Sequence, residues 1–271
     1  MMTKAVGEYV DVNGINTFYI KKGAGTPIVM IHGGSPGACA RVNFGANIDF
    51  LADAGYTVHA YDQPGYGRSD APEDYSLEYR VGHAHGFLKA MGIQRCILMG
   101  NSQGSYIAAR LALELPGVEK MVLAASGTLA PAGSPEAEKL AAEHAEFTGS
   151  YEPSLENMRT LSLGTLFDPK RVTEEFVQER YENSIDKAYE TQQLRKGTPK
   201  PRPVYDELKN LNIPVLLLWG ARDTGVALER SLLLFQAIPG AELHIFDRAA
   251  HWVQWDKAER FNTLVRDFLQ A

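Results

Sequence analysis

With only two cysteines, Cys39 and Cys96, the chain has no disulfide framework and no thiol cluster at metal-ligand spacing. A reducing, cytoplasmic setting is expected, and neither a metal nor an organic cofactor is called for. Basic charge is also in short supply. The net charge is −6 and the pI about 5.7, which argues against a nucleic-acid or anionic-membrane partner, because either needs a basic surface. No apolar run approaches the ~20 residues of a membrane span, and the opening residues lack the apolar core of a signal segment. Repeats and low-complexity stretches are missing too. What remains is an ordinary soluble composition, 45% hydrophobic over 271 residues, enough to bury a large core as one domain.

The stretch around which the rest is organised is Cys96 to Arg110. There an apolar run stops at Gly100-Asn101-Ser102-Gln103-Gly104 and a helical pattern begins, with Ile107, Ala108, Leu111 and Leu115 at helical spacing until Pro116. This is a G-x-S-x-G strand–turn–helix, in which small residues at 100 and 104 permit a strained elbow that exposes a serine hydroxyl. By itself the motif is equally a glycine-rich turn.

Upstream, residues 8–12 and 15–21 alternate around Asn13-Gly14 as an antiparallel hairpin. Residues 27–32 form an apolar strand running into Gly33-Gly34-Ser35-Pro36-Gly37. A helix over about 43–53, a strand over 56–61, the tight loop from Asp62 to Ser69 and a helix over 77–91 lead to the Ser102 strand. A further strand spans 118–124. From about Gly127 to Pro203 no buried strand is legible, and charged helical segments punctuated by proline suggest an inserted helical lid. Strand and helix alternation resumes at 213–219 and 226–237, then 242–246, and a final helix spans about 256–269. The expected fold is therefore α/β, a mostly parallel eight-stranded sheet flanked by helices. Residues 1–126 and 206–271 form the core and 127–205 the lid.

A serine nucleophile needs a base, and the base needs an acid that fixes its tautomer. Asp223 follows an apolar strand, and His251 follows the last strand, both at the edge where open α/β sheets gather their sites. Each has an ordinary reading on its own, as a turn residue or as one of seven histidines. The order Ser102, Asp223, His251, each at a strand's C-terminal end, is the one expected of an α/β-hydrolase. The N–H groups of Gln103 and Gly34 are the expected oxyanion donors.

These motifs resemble the α/β-hydrolase superfamily and, more narrowly, its meta-cleavage product hydrolases, which cut a carbon–carbon bond in 2-hydroxy-6-oxohexa-2,4-dienoates formed by ring fission of catechols. The resemblance runs nearly the whole chain and rests on His32 to Ala38, Asn43, Asp62 to Ser69, Gly100 to Gly104, Trp219 to Asp223 and His251-Trp252. It implies that the dienoate end is held by Arg180, Asn101, Asn43 and Trp252, with Gly33 beside them, and that the protein is a homodimer. Arg180 has independent support: it follows Phe176 and Val177 at helical spacing, hence on an apolar helix face, with no carboxylate at 176, 177, 183 or 184. An inward arginine without a partner suits an anionic ligand. Ser35, Gln103, Ser105 and Thr224-Gly225-Val226 depart from the usual family pattern and leave the C6 substituent open. A carboxylesterase or lactonase with the same triad is the nearest alternative, and a ligand receptor of hydrolase shape a second.

Overall fold

Asn13 and Gly14 both take positive φ, 55° and 89°, the geometry of a two-residue turn matched to strand twist. They fold β1 (Glu8–Val12) onto β2 (Ile15–Lys22), with Val12 opposite Ile15. This hairpin ends an eight-stranded sheet in the computed structural model, which describes residues 7–271. The opening residues read above for a signal core lie, up to residue 6, outside the described residues.

The other strands are β3 (Thr26–Ile31), β4 (Tyr56–Tyr61), β5 (Cys96–Asn101), β6 (Val118–Ala124), β7 (Val215–Gly220) and β8 (Glu242–Phe246). Their order is β1-β2-β4-β3-β5-β6-β7-β8; β2 pairs antiparallel with β1 and β4, and every later pairing is parallel. Parallel strands need covering on both faces, which is why these runs are apolar throughout rather than alternating. On one face Val29, Ile31, Leu98, Leu123 and Leu217 pack with α3 (Leu77–Ala90) and α4 (Gln103–Glu114). On the other, Met30, Met99, Val122 and Leu218 pack with α1 (Ala40–Phe44), α2 (Ile48–Asp53) and the C-terminal helix.

Between β6 and β7 come α5 (Pro135–Gly149), α6 (Leu155–Thr165), α7 (Glu174–Glu182) and α8 (Lys187–Arg195), with no strand. Ser134, Ser154 and Thr173 cap the first three by accepting from the N–H three residues on. The insertion is fastened to the core by a third apolar cluster in which Met158, Leu161, Phe176 and Val177 meet Val42 and Trp252.

Three boundaries differ from the sequence expectation, each for a tertiary reason. The helix expected over 43–53 is two, α1 and α2, because Asn47 between them turns its amide to Asn262 at 2.7 Å. The helix expected from Val226 is α9 (Glu229–Ala237), because the carbonyl of Val226, which a helix would give to the Arg230 N–H, accepts from the Trp219 indole at 3.3 Å, and the Arg230 N–H turns to Ala227 at 3.2 Å. The final helix is a short α10 (Val253–Asp256) followed by α11 (Ala258–Gln270). The Asp256 carboxylate is committed elsewhere, to the N–H groups of Ala250, Phe167 and Asp168. Among the described residues no helix is long and apolar enough to cross a membrane.

Candidate active site

Ser102 stands between β5 and α4 with φ 55° and ψ −119°, a conformation that costs a non-glycine residue roughly 1–3 kcal/mol and is found where function uses it. The two glycines of the motif make this turn possible. A Cβ on Gly104 would lie 1.9 Å from the carbonyl oxygen of Ile31, and one on Gly100 2.5 Å from that of Gly104. Ser105 is not among the residues that line the cavity. It is fully buried, and its hydroxyl donates to the carbonyls of Gly100 (2.9 Å) and Ala124 (3.1 Å), so it ties the elbow to β6.

Asp223 ends the turn after β7, and His251 lies in the loop after β8. The carboxylate accepts from His251 Nδ1 at 2.9 Å through Oδ2, and from the N–H groups of Gly225 (2.8 Å) and Val226 (2.9 Å) through Oδ1. Those two amides fix the carboxylate, and the carboxylate in turn fixes the ring, with Nδ1–H toward Asp223 and Nε2 as the basic nitrogen. Ser102 and His251 line the same cavity, of about 340 Å³.

Opposite them is the loop after β3. His32 is fully buried, and burial holds its pKa down at about 3, so the ring stays neutral. Its Nε2 accepts from the N–H of Gln63 (2.9 Å), leaving Nδ1–H to donate to the carbonyl of Gly33 (2.7 Å). That carbonyl belongs to the peptide whose N–H is Gly34's, so the bond polarises the amide outward. The N–H groups of Gly34 and Gln103 donate to no protein acceptor among the described residues. Gly33 also borders the cavity, but its N–H is spent on Asn43 Oδ1 at 2.9 Å.

Of the residues expected around the dienoate, Asn101 and Trp252 line the cavity, whereas Asn43 and Arg180 sit one layer behind it. Asn43 donates to Asn101 Oδ1 at 3.0 Å and so orients it. Arg180 is fully buried on α7, 4.5 Å from the Trp252 ring. Among the described residues its guanidinium meets only neutral acceptors: Ser162 (3.1 Å), Thr165 (3.3 Å), the carbonyl of Pro36 (3.3 Å) and Ser35 (3.3 Å). Burial without a counter-ion lowers its pKa to about 9.

Two further residues line the cavity that sequence reasoning passed over. His144 of α5 lies 5.9 Å, centroid to centroid, from His251; burial and that neighbour lower its pKa to about 4. It occupies space that Gly225 leaves, since a Cβ there would come 2.6 Å from its Nδ1. The departure at 224–226 was the only trace of this in the sequence, and it gives no hint of the partner. Arg195, at the end of α8, donates to the carbonyl of Gly34 (2.6 Å), to the Tyr66 hydroxyl and to Gln103 Oε1. The polar Gln103, next to Ser102, thus has a partner 92 positions away.

A family described as alpha/beta hydrolase fold matches residues 26–258 of the chain. Among curated proteins, the 2-hydroxy-6-oxononadienedioate/2-hydroxy-6-oxononatrienedioate hydrolase of Paraburkholderia phymatum is 36% identical over 98% of this chain and 96% of its own. The 2-hydroxy-6-oxo-6-phenylhexa-2,4-dienoate hydrolase of Comamonas testosteroni is 34% identical over 96% and 93%. Among solved structures, a meta-cleavage product hydrolase from Pseudomonas fluorescens superposes with a TM-score of 0.87 at 33% identity, covering 98% of both chains. The chain belongs to the α/β-hydrolase family, in its branch of meta-cleavage product hydrolases.

Proposed function

We propose that the protein hydrolyses the C5–C6 bond of a 2-hydroxy-6-oxohexa-2,4-dienoate, giving 2-hydroxypenta-2,4-dienoate and a carboxylic acid. The observation that carries this is one cavity bordered both by Ser102 and the Asp223-held His251 and by the wall behind which Arg180 lies without a carboxylate. The names of the relatives support it. In this reading Ser102, Asp223 and His251 are the triad, and the N–H groups of Gly34 and Gln103 hold the oxyanion. Arg180, Asn101, Asn43, Gly33 and Trp252 form the dienoate end, and the insertion over 127–205 is the lid. The protein acts in the cytoplasm, in keeping with two buried free thiols, and it acts as a homodimer.

The dienol first ketonises, its O2 proton passing to C5, which creates an electron sink at the 2-oxo group. Ser102 Oγ then attacks C6 as its proton goes to His251 Nε2. The C6 oxyanion meets the two free N–H groups, each such donor being worth ~3 kcal/mol to the transition state. Collapse breaks C5–C6, and the electron pair passes through the C3–C4 double bond to the 2-oxo oxygen, which takes up the proton relayed from His251 and leaves the imidazole neutral again. Water activated by His251 releases the acid from Ser102.

The test follows bleaching of yellow 2-hydroxy-6-oxo-6-phenylhexa-2,4-dienoate and its 6-methyl analogue beside an aryl ester, with wild type and Ser102→Ala. Fast bleaching that needs Ser102, with slow ester turnover, is expected. Persistence of both dienoates while the ester is cleaved quickly would replace this reading with a carboxylesterase or lactonase.

A further inference from the structure

Elsewhere, Arg110 bonds Glu78 at 2.7 Å and Glu114 at 2.8 Å, and the half-buried Arg41 meets Glu179 at 2.5 Å. The cavity is different. No aspartate or glutamate lines it, yet Arg195 and Lys196 do, and Arg180 lies behind one wall. Arg195 has no carboxylate within 4 Å among the described residues; its acceptors are a carbonyl, a phenol and two amide oxygens. Those acceptors occupy Nη1 and one position on Nη2, and none takes the Nε–H, so an edge of the fork remains for a ligand. Burial lowers the Arg195 pKa to about 10. A second uncompensated charge stands close by: Arg80, fully buried, lies 4.8 Å over the Tyr66 ring, with its Nε and Nη2 unpartnered. Although burial alone would raise the Tyr66 phenol, Arg195 and Arg80 together bring it below its usual range.

One anion does not account for both Arg180 and Arg195. Arg180 reaches the cavity through Ser35, Pro36 and Trp252, whereas Arg195 contacts Gly34 and Gln103, the two residues proposed to hold the C6 oxygen. A charge at Arg195 is therefore carried on the C6 side of the scissile bond. We infer that Arg195, with Lys196 and Gln192 beside it on the α8 end, forms an anion subsite for a carboxylate on the C6 substituent, so that the preferred substrate is a dianion. This rests on the dienoate-hydrolase reading above and goes further in assigning the substituent and the residue that selects it.

The test compares 2-hydroxy-6-oxononadienedioate with the 6-phenyl dienoate and an aryl ester, in wild type, Arg195→Gln and Arg195→Lys, with thermal melts to establish folding. Loss of a hydrogen-bonded charge predicts that the ratio of kcat/KM for the dioate over the phenyl substrate falls ~30-fold in Arg195→Gln, mostly through KM, with partial recovery in Arg195→Lys. Binding of the dioate to Ser102→Ala should weaken in parallel when Arg195→Gln is added. An equal loss on all three substrates would instead make Arg195 a clamp on the Gly34 loop and overturn the subsite. An equal loss on both dienoates with the ester spared would assign it to the dienoate carboxylate. Wild type that cleaves the phenyl substrate but not the dioate refutes the subsite alone; wild type that cleaves neither dienoate refutes the function and the subsite with it.

Discussion

The loops of the sheet edge and the helical insertion solve opposite problems. Around Ser102 the groups that hold the reacting ones in place are answered within the protein, while the N–H groups of Gly34 and Gln103 stay free. Asp223 has His251 and two amides, His32 has Gln63 and Gly33, and Ser105 has two carbonyls. Across the cavity, the insertion brings two guanidiniums that meet only neutral oxygens. A satisfied network is rigid and can hold reacting groups in register before substrate arrives. A cation lacking its counter-ion is costly until an anion binds, so its binding energy is available to a ligand of the right charge. Under the proposed function, bond breaking is thus set on the core, and the cations that read the substrate's charge are on the insertion.

The largest effect that would break this division is at Arg180. Replacing it with Gln should lower kcat/KM for dienoates about 100-fold, the ~3 kcal/mol of a desolvated charge contact, relative to an aryl ester. An equal loss on the ester would mean that Arg180 supports the fold of the cavity rather than reading charge. Next is Asp256, which joins the two regions by accepting from Phe167 and Asp168 of the insertion and from Ala250 beside His251. Asp256→Asn should cost ~2 kcal/mol in a urea titration, because a nearly buried acceptor of three amides loses its charge and half its capacity. A shift in the urea midpoint too small for this would show that the insertion is held by its apolar cluster alone. The smallest effect belongs to the elbow: Ser102→Gly should raise stability by ~1 kcal/mol by relieving the positive φ while ending turnover. A destabilised Ser102→Gly would show that the turn carries no strain.

The core was legible because its signals are local. Parallel strands covered on both faces read as apolar runs, and glycines at 100 and 104 are demanded by backbone oxygens that a Cβ would strike. The order and loop positions of Ser102, Asp223 and His251 could therefore be read without the structure, as could the inward, acid-free setting of Arg180. The insertion was legible as helices but not as a surface. Arg195 and His144 reach the cavity through packing between segments far apart in the chain, and neither Gln103 nor Gly225 names the residue it accommodates. Similarly, Asn43 reads as a ligand contact but is placed behind Asn101, a matter of depth that spacing along the chain does not encode.

The fit of His144 against Gly225 has an evolutionary corollary. The two positions compete for one volume, so a bulky side chain at 225 and an imidazole at 144 exclude each other, and neither can change size alone without a void or a collision. An aromatic residue at 225 requires a smaller or retracted side chain at 144. Exchange at this pair alters the polarity of the cavity wall in a single coordinated step, and leaves the residues that do the bond-breaking where they are.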